Sequence, residues 1–275
     1  MKISLIQMNS RADKAANIAT AVTLIEQVVA DERPDWVALP ECFDFMGGSR
    51  AEKLAAAETL GEGPASLAMR ALAKKHGIFI HAGSMLERIE GEERIHNTTL
   101  VYDRSGKEVA RYRKIHMFDI TAPDGTQYRE SAAFKPGDAV VTYDCDGVTV
   151  GCAICYDLRF PYLFQALAEK GAEMIALPSA FTLQTGKDHW DVLCRARAVE
   201  TQTYFCAPAQ CGIHMVGNDP RTTYGHSLVI DPWGHIIAKA SDGVGTVSAR
   251  IEPKRVATVR AQIPVAQHRV KLASP

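Results

Sequence analysis

The chain of 275 residues lacks an excess of charge of either sign: 31 lysines and arginines stand against 32 aspartates and glutamates, a formal net charge of −1. That balance leaves no electrostatic footprint for nucleic acid or an anionic membrane surface, and favours a small-molecule substrate as partner. No apolar run approaches the ~18 residues of a membrane-spanning helix, and Met1-Lys-Ile-Ser-Leu-Ile-Gln7 has too short an apolar core for a signal peptide. The cysteines do not pair off either. The set Cys42, Cys145, Cys152, Cys155, Cys194, Cys206 and Cys211 is odd in number and suits a reducing compartment better than a disulfide framework. A soluble cytoplasmic protein is expected. Internal repeats, low-complexity stretches and linkers are also lacking, so one domain over 1–275 is the simplest count for a chain of this length.

What is present is an alternation of short apolar strands and amphipathic segments. Strands are predicted at 3–8, 36–40, 78–85, 97–102, 109–112, 140–143, 148–154, 174–177, 204–207, 227–230, 236–238 and 246–250. Helices are predicted at 15–29, with Ile18, Val22, Ile25 and Val29 on one face, at 64–76 with Gly77 as C-cap, near 162–169, and at 189–201. This interleaving argues for an α/β fold with helix-covered sheets, although spacing does not separate one sheet from two. The polar segment 119–136, with Pro123, Gly125 and Pro136, reads as a loop long enough to be functional.

One thiol stands out. In Val148-Thr-Val-Gly-Cys-Ala-Ile-Cys-Tyr-Asp-Leu-Arg-Phe-Pro161 a β-branched run ends on Cys155 where a new segment begins. A cysteine at such a junction gains help from turn N–H groups and a nearby helix N-terminus, which stabilise a thiolate and an oxyanion. On this string alone a small, buried, inert thiol is the more usual reading. Upstream, Trp36-Val-Ala-Leu-Pro-Glu41 and Tyr112-Arg-Lys-Ile-His116 each set a charged residue directly after an apparent strand. Glu41 is placed to take a proton from a thiol, and Lys114 to hold a fixed positive charge; singly, each also reads as a solvated loop charge.

Taken in order, the Glu, Lys and Cys segments resemble the nitrilase superfamily of carbon–nitrogen hydrolases. The residues that carry the likeness are Leu39-Pro-Glu41, Tyr112-Arg-Lys-Ile-His116 and Cys155-Tyr-Asp-Leu-Arg-Phe-Pro161. Arg129-Glu-Ser131 with Pro136-Gly137, residues 186–190, and Tyr224-Gly-His-Ser227 through Asp231-Pro-Trp-Gly234 extend it over nearly the whole chain. Within the superfamily the chain looks like the Nit branch of omega-amidases and deaminated glutathione amidases. Gln210-Cys-Gly212, Tyr224-Gly-His-Ser227 and Pro264-Val-Ala-Gln-His268 are more similar to the latter. The resemblance implies a four-layer α-β-β-α sandwich, makes Glu130 a fourth site residue that orients Lys114 or the substrate, and puts the tail 253–275 across the interface of a homodimer or a dimer of dimers.

The expected chemistry is amide hydrolysis through a thioester. Cys155 attacks, Glu41 passes its proton to the leaving nitrogen and then activates water, and Lys114 with the Tyr156 N–H stabilises the oxyanion. No metal or organic cofactor is required. Arg159 is a candidate for a substrate carboxylate, its alternative being a salt bridge with Asp157. Phe43, Phe45, Phe181 and Trp190 are candidates for an apolar wall. Cys155-Tyr-Asp, where a true nitrilase usually has Cys-Trp-Glu, points to amides over nitriles; deaminated glutathione, α-ketoglutaramate, succinamate and N-carbamoyl amino acids are the substrate classes. Three other readings remain. Cys152-Ala-Ile-Cys155 matches a redox or half-zinc C-x-x-C; a papain-like pairing could draw on His116, His189 or His226; and the fold could serve as a non-catalytic scaffold.

Overall fold

A computed structural model describes residues 1–122 and 125–270. Pro123 of the polar segment and residues 271–275 of the tail lie outside the described residues. Two sheets carry the fold. The seven-stranded sheet runs in the order Gly245–Arg250, Lys2–Gln7, Trp36–Ala38, Phe79–His81, Ile95–Tyr102, Met85–Arg88, with Glu108–Arg113 also paired to Ile95–Tyr102. The six-stranded sheet runs Ile236–Lys239, Leu228–Ile230, Tyr204–Ala207, Met174–Ala176, Val148–Cys152, Thr142–Cys145.

Parallel neighbours need crossovers, and these are the helices. Helices α1 (Lys14–Glu32), α2 (Arg50–Ala56) and α3 (Pro64–His76) belong to the first half, α1 and α3 joining the parallel strands. In the second half α4 (Pro161–Glu169) and α5 (Leu183–Thr201) do the same. The chain closes with α6 (Pro253–Gln262) and α7 (Val265–His268). Strand alternation sorts the apolar residues to two faces. On the seven-stranded sheet Ile6, Val37, Ile80 and Leu100 pack with Ala21 and Ile25 of α1 and Met69 and Leu72 of α3. The opposite residues Ile3, Leu5, Trp36, Ala38 and Val101 join a core with Tyr143, Val150 and Cys152 of the other sheet. The Trp36 indole N–H donates to the Tyr143 hydroxyl across this interface at 2.8 Å. On the far side Leu167 of α4 lies over Gly151, where a Cβ would meet it at 3.1 Å. The layers are therefore helix, sheet, sheet, helix: the α/β four-layer sandwich. Among the described residues no helix is long and apolar enough to cross a membrane.

Several expectations need correction. The strand predicted at 78–85 is two, Phe79–His81 and Met85–Arg88, separated by a turn in which Gly83 has φ +47°. The Gly83 N–H donates to the His81 carbonyl, which also accepts from Leu39, so the apolar run bends instead of continuing. The strand predicted at 140–143 is shifted to Thr142–Cys145, and the one predicted through 154 stops at Cys152. Helix α5 begins at Leu183 rather than 189, capped by the Thr182 hydroxyl. The segment 119–136 is no plain loop, for Asp119–Thr121 pairs with Gln127–Arg129. A second hairpin, Cys211–Val216 with Asp219–Tyr224, and helix α2 carried no periodic signal strong enough to be predicted.

The turn at Gly83 supports the segment that carries Glu41. Phe43 donates its N–H to the Ser84 carbonyl at 3.0 Å, and Cys42 donates to the Ser84 hydroxyl at 2.9 Å. A Cβ on Gly83 would fall 2.1 Å from the Pro40 carbonyl oxygen, whereas Gly91, at φ +73°, has nothing within 4 Å of that position. Gly83→Ala is therefore expected to destabilise the protein by roughly 2 kcal/mol more than Gly91→Ala, which bears only the backbone cost. Urea denaturation of the two variants reads the difference, and equal midpoints would refute the steric argument.

Candidate active site

The candidate residues stand at strand ends of both sheets. Trp36–Ala38 and Val148–Cys152 are parallel-sheet strands, and Glu41 and Cys155 follow their carboxyl ends, where open α/β sheets place their ligands. Glu41 is turned into the interior by Cys42 at φ +51°, and the Gln210 side-chain amide donates to the Glu41 carbonyl at 2.9 Å. Its carboxylate accepts from Asn97 Nδ2 and from Lys114 Nζ, each at 2.9 Å. Lys114 follows the strand Glu108–Arg113 and is held at its backbone by a 2.9 Å bond to the Asn97 carbonyl. Its ammonium also donates to both oxygens of Glu130, at 2.8 and 2.9 Å. Glu130, at the start of a 3₁₀ turn, accepts in addition from the Phe118 N–H at 2.6 Å.

Cys155 opens another 3₁₀ turn, Cys155–Arg159, at φ +46°, a conformation that costs a residue bearing a Cβ about 1–2 kcal/mol. The bend lifts the thiol out of the sheet. Its N–H is anchored on the Pro178 carbonyl at 2.9 Å, and Cys155 shares the wall of one cavity with Glu41 and Ala180. Cys152, three residues earlier, is fully buried in the core between the sheets. The C-x-x-C reading is thus overturned by geometry, because one thiol faces the site and the other the core.

Electrostatics set the resting state. Burial pushes the Cys155 pKa well up, the Glu41 charge pushes it further, and Lys114 and the Ala180 N–H only partly oppose them. Burial alone would lower the Lys114 pKa, yet Glu130, Glu41 and Cys155 outweigh it and hold the ammonium charged. Burial raises the Glu130 pKa against the pull of Lys114, with the Glu41 charge adding to the rise. The site at rest is an ammonium between acidic side chains beside a neutral thiol.

A second layer of bonds fixes the two sheets relative to each other. Asp157, fully buried, accepts from the Tyr112 hydroxyl at 2.6 Å, the Ile154 N–H at 2.8 Å, and the His116 N–H and Nδ1 at 3.1 and 2.6 Å. The segment carrying Lys114 is thereby tied to the turn carrying Cys155. The sequence gives no hint of these holding roles for Asp157, Asn97 and Gln210, although Asp157 and Gln210 lie in motifs that carry the family likeness. The strand Ile95–Tyr102 carries Asn97 among His96, Thr98 and Thr99, so nothing in its pattern set the amide apart, although once buried it needs partners.

Glu41, Lys114, Glu130, Cys155, Tyr156, Arg159 and Phe181 all line one cavity of about 320 Å³. Arg159 does not pair with Asp157, whose oxygens are taken; its guanidinium bonds His189 Nδ1 at 3.2 Å and lies 5.6 Å from the Phe181 ring centroid. Of the four aromatic candidates, Phe45 and Phe181 line the cavity. Phe43 is buried against the outer helices, and Trp190 supports Phe181 from beneath, with ring centroids 5.0 Å apart and its N–H on the His226 carbonyl. The histidines are engaged elsewhere: His116 on Asp157, His189 on Arg159, and His226 on the Tyr224 carbonyl. None of these three imidazoles lines the cavity that Cys155 lines, whereas Glu41 does.

Comparison with known proteins agrees with this geometry. The carbon–nitrogen hydrolase family profile matches residues 2–261. The deaminated glutathione amidase of Synechocystis is 40% identical over 268 residues, covering 96% of each chain. The human deaminated glutathione amidase is 39% identical over 271 residues, covering 97% of this chain and 81% of that one. Among solved structures, Saccharomyces cerevisiae Nit3, a member of branch 10 of the nitrilase superfamily, is 32% identical with a TM-score of 0.87 over 98% of this chain and 96% of that chain. The Caenorhabditis elegans NitFhit protein is 37% identical with a TM-score of 0.90, over 98% of this chain and 64% of that longer one. The chain belongs to the carbon–nitrogen hydrolases of the nitrilase superfamily and is an amidase, a hydrolase of carbon–nitrogen bonds other than peptide bonds.

Proposed function

We propose that this amidase hydrolyses the amide of a small carboxylate-bearing substrate, deaminated glutathione first among them, through a thioester on Cys155. The observation that carries the reading is the charged Lys114 held between Glu41 and Glu130 in the cavity that Cys155 also lines. As the sulfur attacks the carbonyl carbon, the thiol proton moves to Glu41 and negative charge collects on the carbonyl oxygen. Lys114 stabilises that oxyanion, and the Tyr156 N–H, in the first turn of its 3₁₀ segment where N–H groups have no partner within the turn, is the second donor. Glu41 returns the proton to the nitrogen as the C–N bond breaks and the amine leaves. Water then gives its proton to Glu41, its oxygen attacks the thioester, and the carboxylic acid and free thiol are regenerated. Glu130 keeps the ammonium aimed. Arg159, steadied by His189 and by the Tyr156 and Phe181 rings, takes the carboxylate on the acyl side. The relatives at about 40% identity, named as deaminated glutathione amidases, support the choice of substrate.

We further read the protein as a homodimer. Val192 and Val199 on α5 and Trp233, Ile236 and Ile237 at the edge strand of the six-stranded sheet are exposed large apolar residues, and the Arg195 bond to the Gly234 carbonyl joins the two elements. Such a cluster is a candidate for a symmetric contact. The first part of the tail packs on its own chain, since Val256 and Val259 of α6 are buried and Gln202 donates to the Ile263 carbonyl at 2.6 Å.

Cys155→Ser is expected to abolish turnover of deaminated glutathione, by about 10⁴-fold or more, while Cys152→Ala keeps most of it. Assay of the released cysteinylglycine decides, and equal loss in both variants would overturn the nucleophile assignment. Glu41→Gln separates two effects. Without a base, turnover should fall by roughly 10²–10⁴; without the glutamate charge, the Cys155 pKa should drop and alkylation by iodoacetamide at neutral pH should speed up. Alkylation slowing together with turnover would contradict this electrostatic account. For the dimer, light scattering should give at least twice the 30.0 kDa chain mass, and Val192→Glu, at a side chain 67% exposed, should shift the protein toward monomer. A wild-type monomer at every accessible concentration would rule the contact out.

A further inference from the structure

The cavity holds more positive charge than the amide chemistry uses. Besides the buried Lys114, its wall includes Lys53, Arg129, Arg159 and Arg221. Among the described residues none of these four forms an ion pair with a carboxylate. Arg221 is the best fixed of those not yet given a role. It sits on the hairpin strand Asp219–Tyr224, and its guanidinium carbon lies 4.9 Å from the ring centroid of Tyr128, on the other small hairpin. The opposite hairpin strand supplies His214 in register with Arg221, but both imidazole nitrogens are taken, by the Ser10 carbonyl at 2.7 Å and the Thr223 hydroxyl at 2.8 Å.

A row of rings connects Arg221 to Arg159. Tyr128 meets Phe118 edge to face at 5.0 Å, Phe118 meets Tyr156 at 5.1 Å, and Arg159 lies 6.0 Å from the Tyr156 centroid. The two guanidiniums thus mark the two ends of a chain of ring contacts, and the thiol lies on the same turn as Arg159. A guanidinium stacked on a ring face keeps its N–H edge free, and that edge matches a carboxylate bidentately. One carboxylate engages one end of the row. A substrate with a carboxylate on each side of the scissile bond engages both.

We propose that Arg221 is a specificity-determining residue that binds a carboxylate on the amine side of the scissile amide, so that the enzyme prefers substrates anionic at both ends. The assignment rests on the amidase reading above. Deaminated glutathione has this form: its acyl part ends in a 2-oxo carboxylate, and its leaving group, cysteinylglycine, ends in a glycyl carboxylate. α-Ketoglutaramate shares the acyl part but releases only ammonia.

The test compares three substrates, deaminated glutathione, its C-terminal carboxamide and α-ketoglutaramate, on the wild-type protein, Arg221→Gln and Arg221→Lys. Wild type should favour the acid over its carboxamide by about 10- to 100-fold in kcat/KM, the range of a charged hydrogen bond. Arg221→Gln should erase that preference, chiefly through KM, with a much smaller effect on α-ketoglutaramate; Arg221→Lys should recover part of it. Equal losses of Arg221→Gln on all three substrates would make the residue structural to the hairpin and overturn the proposal. So would a wild-type enzyme that turns over α-ketoglutaramate but does not distinguish acid from carboxamide, an outcome that leaves the amidase reading standing. Failure of wild type to cleave any of the three would bring down that reading and this one together.

Discussion

Everything at the candidate site depends on one buried ammonium. Lys114 is 2% exposed, and a lone cation so enclosed would be driven to give up its proton. It stays charged because three hydrogen bonds to Glu41 and Glu130 replace its water. These partners come from separate segments, one after a strand of the seven-stranded sheet and one from the turn behind a small hairpin. Satisfying the ammonium therefore fixes the relative positions of three loops. Removing Lys114 would leave two buried carboxylates uncompensated, which costs several kcal/mol, so position and charge are coupled.

The same arithmetic of charge explains why the nucleophile rests as a thiol. Two acidic side chains face one ammonium, and the carboxylate nearest the sulfur opposes a second negative charge there. Proton transfer from sulfur to Glu41 leaves the total charge of the cluster unchanged. The oxyanion then appears beside a cation that is already in place, so little reorganisation accompanies the attack.

Geometry between the sheets is the second constraint. Glu41 and Lys114 belong to one sheet and Cys155 to the other, so the cluster exists only when the sandwich closes. Asp157 ties the two directly, through Tyr112 and His116 on one side and Ile154 on the other. Trp36 and Tyr143 make a second polar link deeper in the core. Rigidity of this kind keeps reacting groups within the small tolerance that attack geometry allows.

Local pattern alone identified the α/β class, a first strand at 3–8 that forms at Lys2–Gln7, the helix Pro64–His76 with its Gly77 cap, and the junction at Cys155. These features repeat with a period of two or of 3.6 residues, or rest on a turn residue, and such signals survive in one dimension. The likeness of the Glu, Lys and Cys segments to a known family added the four-layer arrangement and Glu130. Tertiary structure decided the rest. That 78–85 breaks at Gly83, that Asn97, Gln210 and Asp157 hold the site residues, that Phe45 faces the cavity while Phe43 faces helices, and that Arg159 meets His189 instead of Asp157 all follow from which surfaces come together. A side chain's partner 30 or more residues away leaves no periodic trace in the chain, because it is set by sheet pairing and packing and not by the neighbours along the sequence.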